Sequence, residues 1–206
     1  MRIGSVSLFL ILFNFVSGAY GHVPEEGKVF ATVGPYFHEI SEVHVQDTQS
    51  SPASVGLGIL GEGDVNNKGG FEIGIFYGTK TYQRKFGDAH LAERVNKLSV
   101  PVSFRYWFQS AFSAAVGFDA SYTMGVPEVV FNNAPLGSNL TSARDITDYG
   151  IDFSGQWEAW AKDRFAVIVD ARYFYSITAR SGEDANQYSI LVGLQYLIQE
   201  KHGSDD

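Results

Sequence analysis

Apolar and polar residues alternate strictly along most of this chain, and that period predicts β-strands. Phe71, Ile73, Ile75 and Tyr77 form one face of a strand, with Glu72, Gly74, Phe76 and Gly78 on the other. The next run sets Leu98, Val100, Val102, Phe104, Tyr106 and Phe108 against Ser99, Pro101, Ser103, Arg105 and Trp107. Alternation returns over 112–122, 148–158, 165–175 and 188–198. Two less regular segments, Gly-rich or Pro-broken, lie around Val29–Phe37 and Ala53–Leu60 and bring the number of strands to eight. Ordinary strands average ~5–6 residues, whereas a tilted membrane-crossing strand needs ~9–11, and several runs here exceed the first length.

The connections alternate as well. Three are tight: Glu62–Asn67, Gln109–Ser110 and Lys162–Asp163. Four are long: His38–Ser51, Thr81–Arg94, Gly125–Asp145 and Thr178–Asn186. Alternate connections of an antiparallel barrel fall on opposite rims, so one rim carries only short turns and the other only long loops. Outer-membrane barrels are built this way, with short periplasmic turns and long external loops. The polar face is rich in small residues, such as Gly74, Gly78, Ser99, Ser103, Ala115, Gly117, Ser121, Ser154, Ser189 and Gly193. Small side chains suit the crowded lumen of an eight-stranded barrel, and a large aromatic apolar face suits lipid contact. The expected fold is all-β: an eight-stranded antiparallel up-and-down transmembrane β-barrel. Two alternatives remain open, a narrow pore for small solutes and a secreted soluble lipocalin-like barrel with its apolar face around a lipophilic ligand.

Charges interrupt the small face at Glu72, Lys80, Arg105, Asp119, Asp152, Glu158, Asp170 and Arg172. Unpaired charge in a narrow lumen is costly, so these residues are expected to form an ion-pair and hydrogen-bond network. Such a network serves either as a plug that fixes the barrel or as a gate in a small pore. Trp107, Trp157 and Trp160 lie near the short-turn rim and are candidates for an interfacial girdle, although parity alone turns Trp107 and Trp160 inward. Pro101 lies inside a strand and cannot donate to the ladder, which predicts a local bulge.

Composition adds a leader and several exclusions. Residues 1–21 read as a signal peptide: Arg2, then an apolar run from Val6 to Val16, then Ser17, Gly18, Ala19 and Gly21. The apolar run falls short of the about 20 residues a spanning helix needs. Residues 22–206 read as a single barrel domain, with strands over about 28–198 and a polar tail over 199–206. The chain has no cysteine, which removes lipid acylation, disulfides and thiolate metal sites. With 15 Lys and Arg against 23 Asp and Glu, its formal net charge of −8 argues against nucleic-acid binding.

No catalytic signature is present. There is no G-x-S-x-G, phosphate loop or H-E-x-x-H in the chain. His38 and His44 near Glu39, Glu42 and Asp47, and His90 near Asp88 and Glu93, are weak candidates for a divalent cation. Acidic loops of this kind are more often simply solvated. Asn139-Leu140-Thr141 matches a glycosylation sequon. The chain is expected not to be an enzyme and to need no metal or cofactor.

The run Leu98-Ser-Val-Pro-Val-Ser-Phe-Arg-Tyr-Trp-Phe108, followed by Ala111-Phe-Ser-Ala-Ala-Val-Gly-Phe118, resembles the small outer-membrane β-barrels of the OmpA/OmpX type. The resemblance spans roughly residues 28–198. It implies an integral protein of the bacterial outer membrane, surrounded by outer-membrane lipid and inserted by the barrel assembly machinery. It also implies a structural or surface-interaction role. Two features depart from the pattern: the last strand is followed by a polar tail, which leaves Tyr196 as an internal assembly signal, and nothing resembles a peptidoglycan-binding domain. In the longest loop, Val129, Val130 and Phe131 are candidates for contact with a surface partner or the outer leaflet. The alternative for these three is that they extend strands beyond the membrane and pack together.

Overall fold

A computed structural model describes residues 23–40, 54–86, 89–133 and 141–200. The signal segment, His22, His44, His202, Glu42, Asp47, Asp88, the Asn139–Leu140 pair of the sequon and the tail from residue 201 lie outside the described residues.

Eight strands close one antiparallel barrel: β1 (Val29–Ile40), β2 (Ser54–Asp64), β3 (Gly69–Phe86), β4 (Ala89–Gln109), β5 (Phe112–Thr123), β7 (Thr147–Lys162), β8 (Phe165–Ser176) and β10 (Gln187–Gln199). Each pairs with its neighbour in sequence, and β1 pairs with β10 to close the ring. Two short strands, β6 (Glu128–Asn132) and β9 (Glu183–Asp184), sit within long connections and flank the upper ends of β4 and β3.

The two faces of the strands settle which side meets lipid. Along β4, Ser103, Arg105 and Trp107 are buried, whereas Val102, Phe104, Tyr106 and Phe108 are exposed. Along β10, Ser189, Leu191, Gln195 and Leu197 are buried, whereas Tyr188, Ile190, Leu194, Tyr196 and Ile198 are exposed. Charge and hydroxyl lie inside and large apolar side chains outside. This is the reverse of a soluble barrel and matches an outer-membrane one. The lipocalin-like alternative does not hold.

Several boundaries differ from the sequence reading. The segment Thr81–Arg94 is not a loop: β3 and β4 continue as a paired hairpin out to Phe86 and Ala89. Polar residues dominate this stretch, so lipid-facing alternation ends at Tyr77 and hides the strand that continues beyond it. The connection at Glu62–Asn67 shortens to 65–68, because β2 runs on to Asp64. Pro101 makes no bulge: its pairing with Asp119 keeps the β4–β5 register. On its other side the β3–β4 ladder skips from Ile73↔Val102 to Phe76↔Ser99 without a shift, which absorbs the missing donor.

Candidate functional site

The lumen holds two tiers of charge. The tier nearer the short turns is centred on Arg105 of β4 and Arg172 of β8. Arg105 Nε donates to Glu72 Oε2 at 2.8 Å, Nη1 to Ser113 Oγ at 2.8 Å, and Nη2 to Ser154 Oγ at 3.0 Å and Asp170 Oδ2 at 2.9 Å. Glu62 Oε1 lies 3.1 Å from Arg105 Nε, and Gln195 Nε2 donates to the other Glu62 oxygen. Arg172 Nη1 donates to Asp152 at 2.8 Å and Nη2 to Glu72 Oε1 at 3.0 Å, while Nε lies 2.6 Å from Asp170 Oδ1. Phe76 stacks under the Arg172 guanidinium, 4.9 Å from ring centroid to Cζ. Two guanidiniums thus face four carboxylates, Glu62, Glu72, Asp152 and Asp170, contributed by β2, β3, β7 and β8.

The second tier lies toward the long loops. Lys80 Nζ pairs with Asp148 Oδ2 at 2.6 Å, and Tyr82 Oη donates to the same oxygen at 2.9 Å. Ser176 and Thr178 hydroxyls donate to Asp148 Oδ1 at 2.7 and 2.6 Å. Asp148 therefore ties β3, β7, β8 and the connection after β8 together at one carboxylate. Between the tiers lies a small polar cavity lined in part by Lys80, Lys97, Ser99, Asp119, Asp152 and Arg172. Ser99 Oγ lies 2.6 Å from the Asp119 carboxylate.

All eight residues of the expected lumen network are buried. Glu72, Arg105, Asp152, Asp170 and Arg172 share the lower tier, and Lys80 belongs to the upper one. Asp119 lines the cavity between them, and Glu158 is buried toward the short turns, opposite Ile168. Sequence reasoning missed Glu62, because it was placed in a turn, although Leu60, Glu62 and Asp64 carry the inward alternation. It also left Asp148 out of the network, because the residue sits at the boundary of a long loop.

The tryptophans divide. Trp107 is not interfacial: it points into the lumen at 5% exposure, as its parity with Arg105 requires. Trp160 faces outward at 45% exposure, because a register shift between Glu158 and Trp160 reverses the parity of β7. Trp157 stacks on Phe112, with centroids 6.5 Å apart and planes at 10°. At the opposite end of the apolar band, exposed Tyr77, Tyr122, Tyr149, Tyr175 and Tyr188 form an outer girdle that the tryptophan signal did not reveal. His38 belongs to β1 rather than to a loop, and its Nε2 accepts the Thr79 N–H at 3.0 Å. Among the described residues, no group of three His, Asp or Glu side chains is arranged to hold a metal ion.

Above the tyrosines, the upper parts of β3 and β4 and the described parts of the connections after β5 and β8 pack together as a cap. Tyr82, Val95, Ala143 and Ala185 form its apolar centre. Polar bonds join its segments. Glu93 accepts from Arg144 Nε at 2.9 Å and Nη2 at 2.6 Å, and from Thr141 Oγ1 at 2.7 Å. Glu183 accepts from Ser142 N at 2.8 Å, and Asp145 pairs with Arg180 at 2.6 Å. Burial alone would push the Glu93 carboxyl up, but hydrogen bonds from Arg144 and Thr141 outweigh it and hold the group below the ordinary carboxylate range. The stability this clasp contributes is therefore present above the unfolded-state value of about 4.3 and is lost as pH falls through the lower folded value.

Glu93→Gln is expected to loosen the cap by about 1–2 kcal/mol, a figure discounted for solvent at half-exposed Arg144. Amide hydrogen exchange at Thr141 and Ala143, corrected for its intrinsic pH dependence, should quicken in this variant. The same amides should quicken in the unaltered protein as pH falls below about 4. Exchange rates that stay put in both cases would remove Glu93 as the clasp.

No protein-family model matches the chain. No curated protein matches it either. Solved structures do. OprG from Pseudomonas aeruginosa is similar at a TM-score of 0.59 and 10% identity, over 88% of this chain and 100% of that one. Ail of Yersinia pestis, in complex with the heparin analogue sucrose octasulfate, is similar at a TM-score of 0.50 and 10% identity, over 84% and 99%. Both are outer-membrane barrels, and at identities this low the structural likeness establishes the fold alone. The chain is a closed eight-stranded transmembrane β-barrel of outer-membrane type. The OmpA/OmpX-like architecture read from the sequence is the one it adopts.

Proposed function

We propose that this protein resides in the bacterial outer membrane as a closed, non-catalytic scaffold that presents an ordered outer surface to partners. Its short turns then lie in the periplasm and its cap outside. The observation that carries this reading is the filled lumen. Arg105 and Arg172, each 2% exposed by side chain, are bonded to carboxylates on four strands and span the interior. An eight-stranded lumen is only wide enough for packed side chains, and these are held by ion pairs on every side. A conducting path would have to break them.

The Ail complex supports the surface role by analogy, since a barrel of this fold was solved with a polysulfated ligand. On β6, Val129 and Val130 are exposed, Phe131 is half-buried, and all three lie beyond the lipid band, where a surface partner can reach them. Tyr196 of β10, exposed and packed on Phe165 with ring centroids 5.0 Å apart, serves in this reading as the internal signal for the assembly machinery.

The test has two parts. The protein should be recovered from the outer-membrane fraction and should migrate differently in SDS gels before and after boiling, because a closed barrel exposes no sheet edge to detergent. In planar lipid bilayers, the purified barrel should give no stable unit conductance. Steady conductance steps would replace the scaffold reading with the narrow pore, and recovery in the soluble fraction without a heat shift would overturn the membrane reading itself.

A further inference from the structure

Where β5 meets β7, the apolar surface continues above the tyrosine girdle. Tyr122 closes the lipid-facing row of β5 at 43% exposure. Two residues on, Met124 keeps the same outward parity at 48% exposure, and Val126 beyond it is 92% exposed. Beside them stands Ile146, at 78% exposure, whose carbonyl accepts the Thr123 N–H at 2.8 Å. The Met124 amide still donates to Asn96 of β4 at 2.8 Å, so this part of the row remains fixed to the barrel wall. The chain then leaves the wall at Gly125, whose φ of +114° belongs to the region other residues avoid. Pairing resumes only at Glu128, opposite Arg94. The stretch between is a spur that pushes Val126 out from the barrel surface.

We infer that Met124, Val126 and Ile146 form a lipid anchor, seated in the outer leaflet at the boundary between headgroups and acyl chains. This inference rests on the outer-membrane reading above. The occupant follows from continuity, because Met124 and Val126 extend the β5 row that meets lipid below, with Ile146 exposed beside them. Height agrees. At ~3.3 Å per residue and a tilt of ~40°, Met124 stands ~5 Å above Tyr122, inside an interfacial layer ~5–8 Å thick on each side of the hydrocarbon core. Val130 is opposite the upper part of β4, well beyond that layer, and is not part of the anchor. A Val126 side chain left in water would gain nothing from the outward excursion, whereas burying it and its neighbours in lipid recovers the transfer energy of each apolar side chain. The anchor holds the cap at a set height over the membrane.

The chain has no cysteine, so single cysteines report without interference. Val126→Cys and Ile146→Cys, each carrying an environment-sensitive fluorophore, would be reconstituted in phosphatidylcholine vesicles containing nitroxide lipids labelled near the headgroup or near the acyl terminus. Val102→Cys, mid-band on β4, and Lys85→Cys, at the hairpin tip, serve as deep and aqueous references. Labels at 126 and 146 should be quenched severalfold more by the headgroup-proximal nitroxide than the label at 85, and should resist aqueous iodide. Iodide quenching equal to that at 85, with no nitroxide effect, would overturn the anchor. Disulfide-linked dimers of unlabelled Val126→Cys would overturn it too, by assigning the spur to a second copy. If the label at 102 escapes the deep nitroxide, the membrane reading itself has failed rather than the anchor.

Discussion

Arg105→Ala is expected to cost about 3–5 kcal/mol of folding stability, the range for removing one member of a buried ion-pair network. The size follows from what the substitution leaves behind. Glu62, Glu72 and Asp170 all contact this guanidinium, so one guanidinium would remain against four buried carboxylates. Ser113 and Ser154 lose their donor as well. Arg105→Lys should recover only part of the loss, because a single ammonium lacks the fork that reaches several acceptors at once. The double variant Arg105→Ala/Glu72→Ala should be more stable than the sum of the single losses predicts, since the most tightly bonded carboxylate leaves with its partner. Urea titration of the folded barrel in detergent micelles, read by the heat-dependent gel shift, gives these values and that of Glu72→Ala, which the sum requires. An unchanged urea midpoint for Arg105→Ala would show that the lower tier does not hold the barrel.

Gly34→Val should also destabilise the barrel, by a different route. Gly34 sits in the seam where the first and last strands meet, between the pairs Val33↔Leu194 and Tyr36↔Leu191. A side chain there would run into the Val192 carbonyl oxygen, with Gly193 Cα 2.8 Å away. Overpacking a site typically costs about 1–3 kcal/mol, and here the obstacle is backbone that cannot rotate aside. The expected outcome is a barrel that fails to close, seen as loss of the heat-shifted band in unboiled samples. Gly155→Val provides the comparison, because nothing lies within 4 Å of a Cβ built at that glycine and its site faces outward. If both variants close equally well, the seam at Gly34 is not a steric checkpoint.

The strands were legible because each meets lipid on one face and a crowded polar interior on the other. That contrast writes a period of two into the sequence, most plainly in Phe71–Tyr77 and Leu98–Phe108. It fades where the lipid ends. The upper parts of β3 and β4 remain paired out to Lys85↔His90, yet they read as a loop because neither face is bathed in hydrocarbon. Parity went astray where the register shifts, as at Glu158/Trp160, since a bulge leaves no reliable trace in the order of side chains. The outer tyrosine girdle went unnoticed for another reason. Its members come from five separate strands, and their common height depends on stagger.

The sequence by itself determined the barrel, its strand number and which face meets lipid, and it marked most of the charges that enter the lumen, because those depend on local alternation and on loop lengths. Only the tertiary structure decided which charges meet. The partners Arg105 and Asp170 are 65 residues apart, and Arg172 and Glu72 are 100 apart. Their encounter depends on how far each strand is staggered against the next around a closed ring. The cap is tertiary for the same reason, since its apolar centre joins β3 and β4 to the connections after β5 and β8. The apolar spur needs the two ends of the β5–β7 connection to stand side by side, which the hydrogen bond from Thr123 N–H to the Ile146 carbonyl provides.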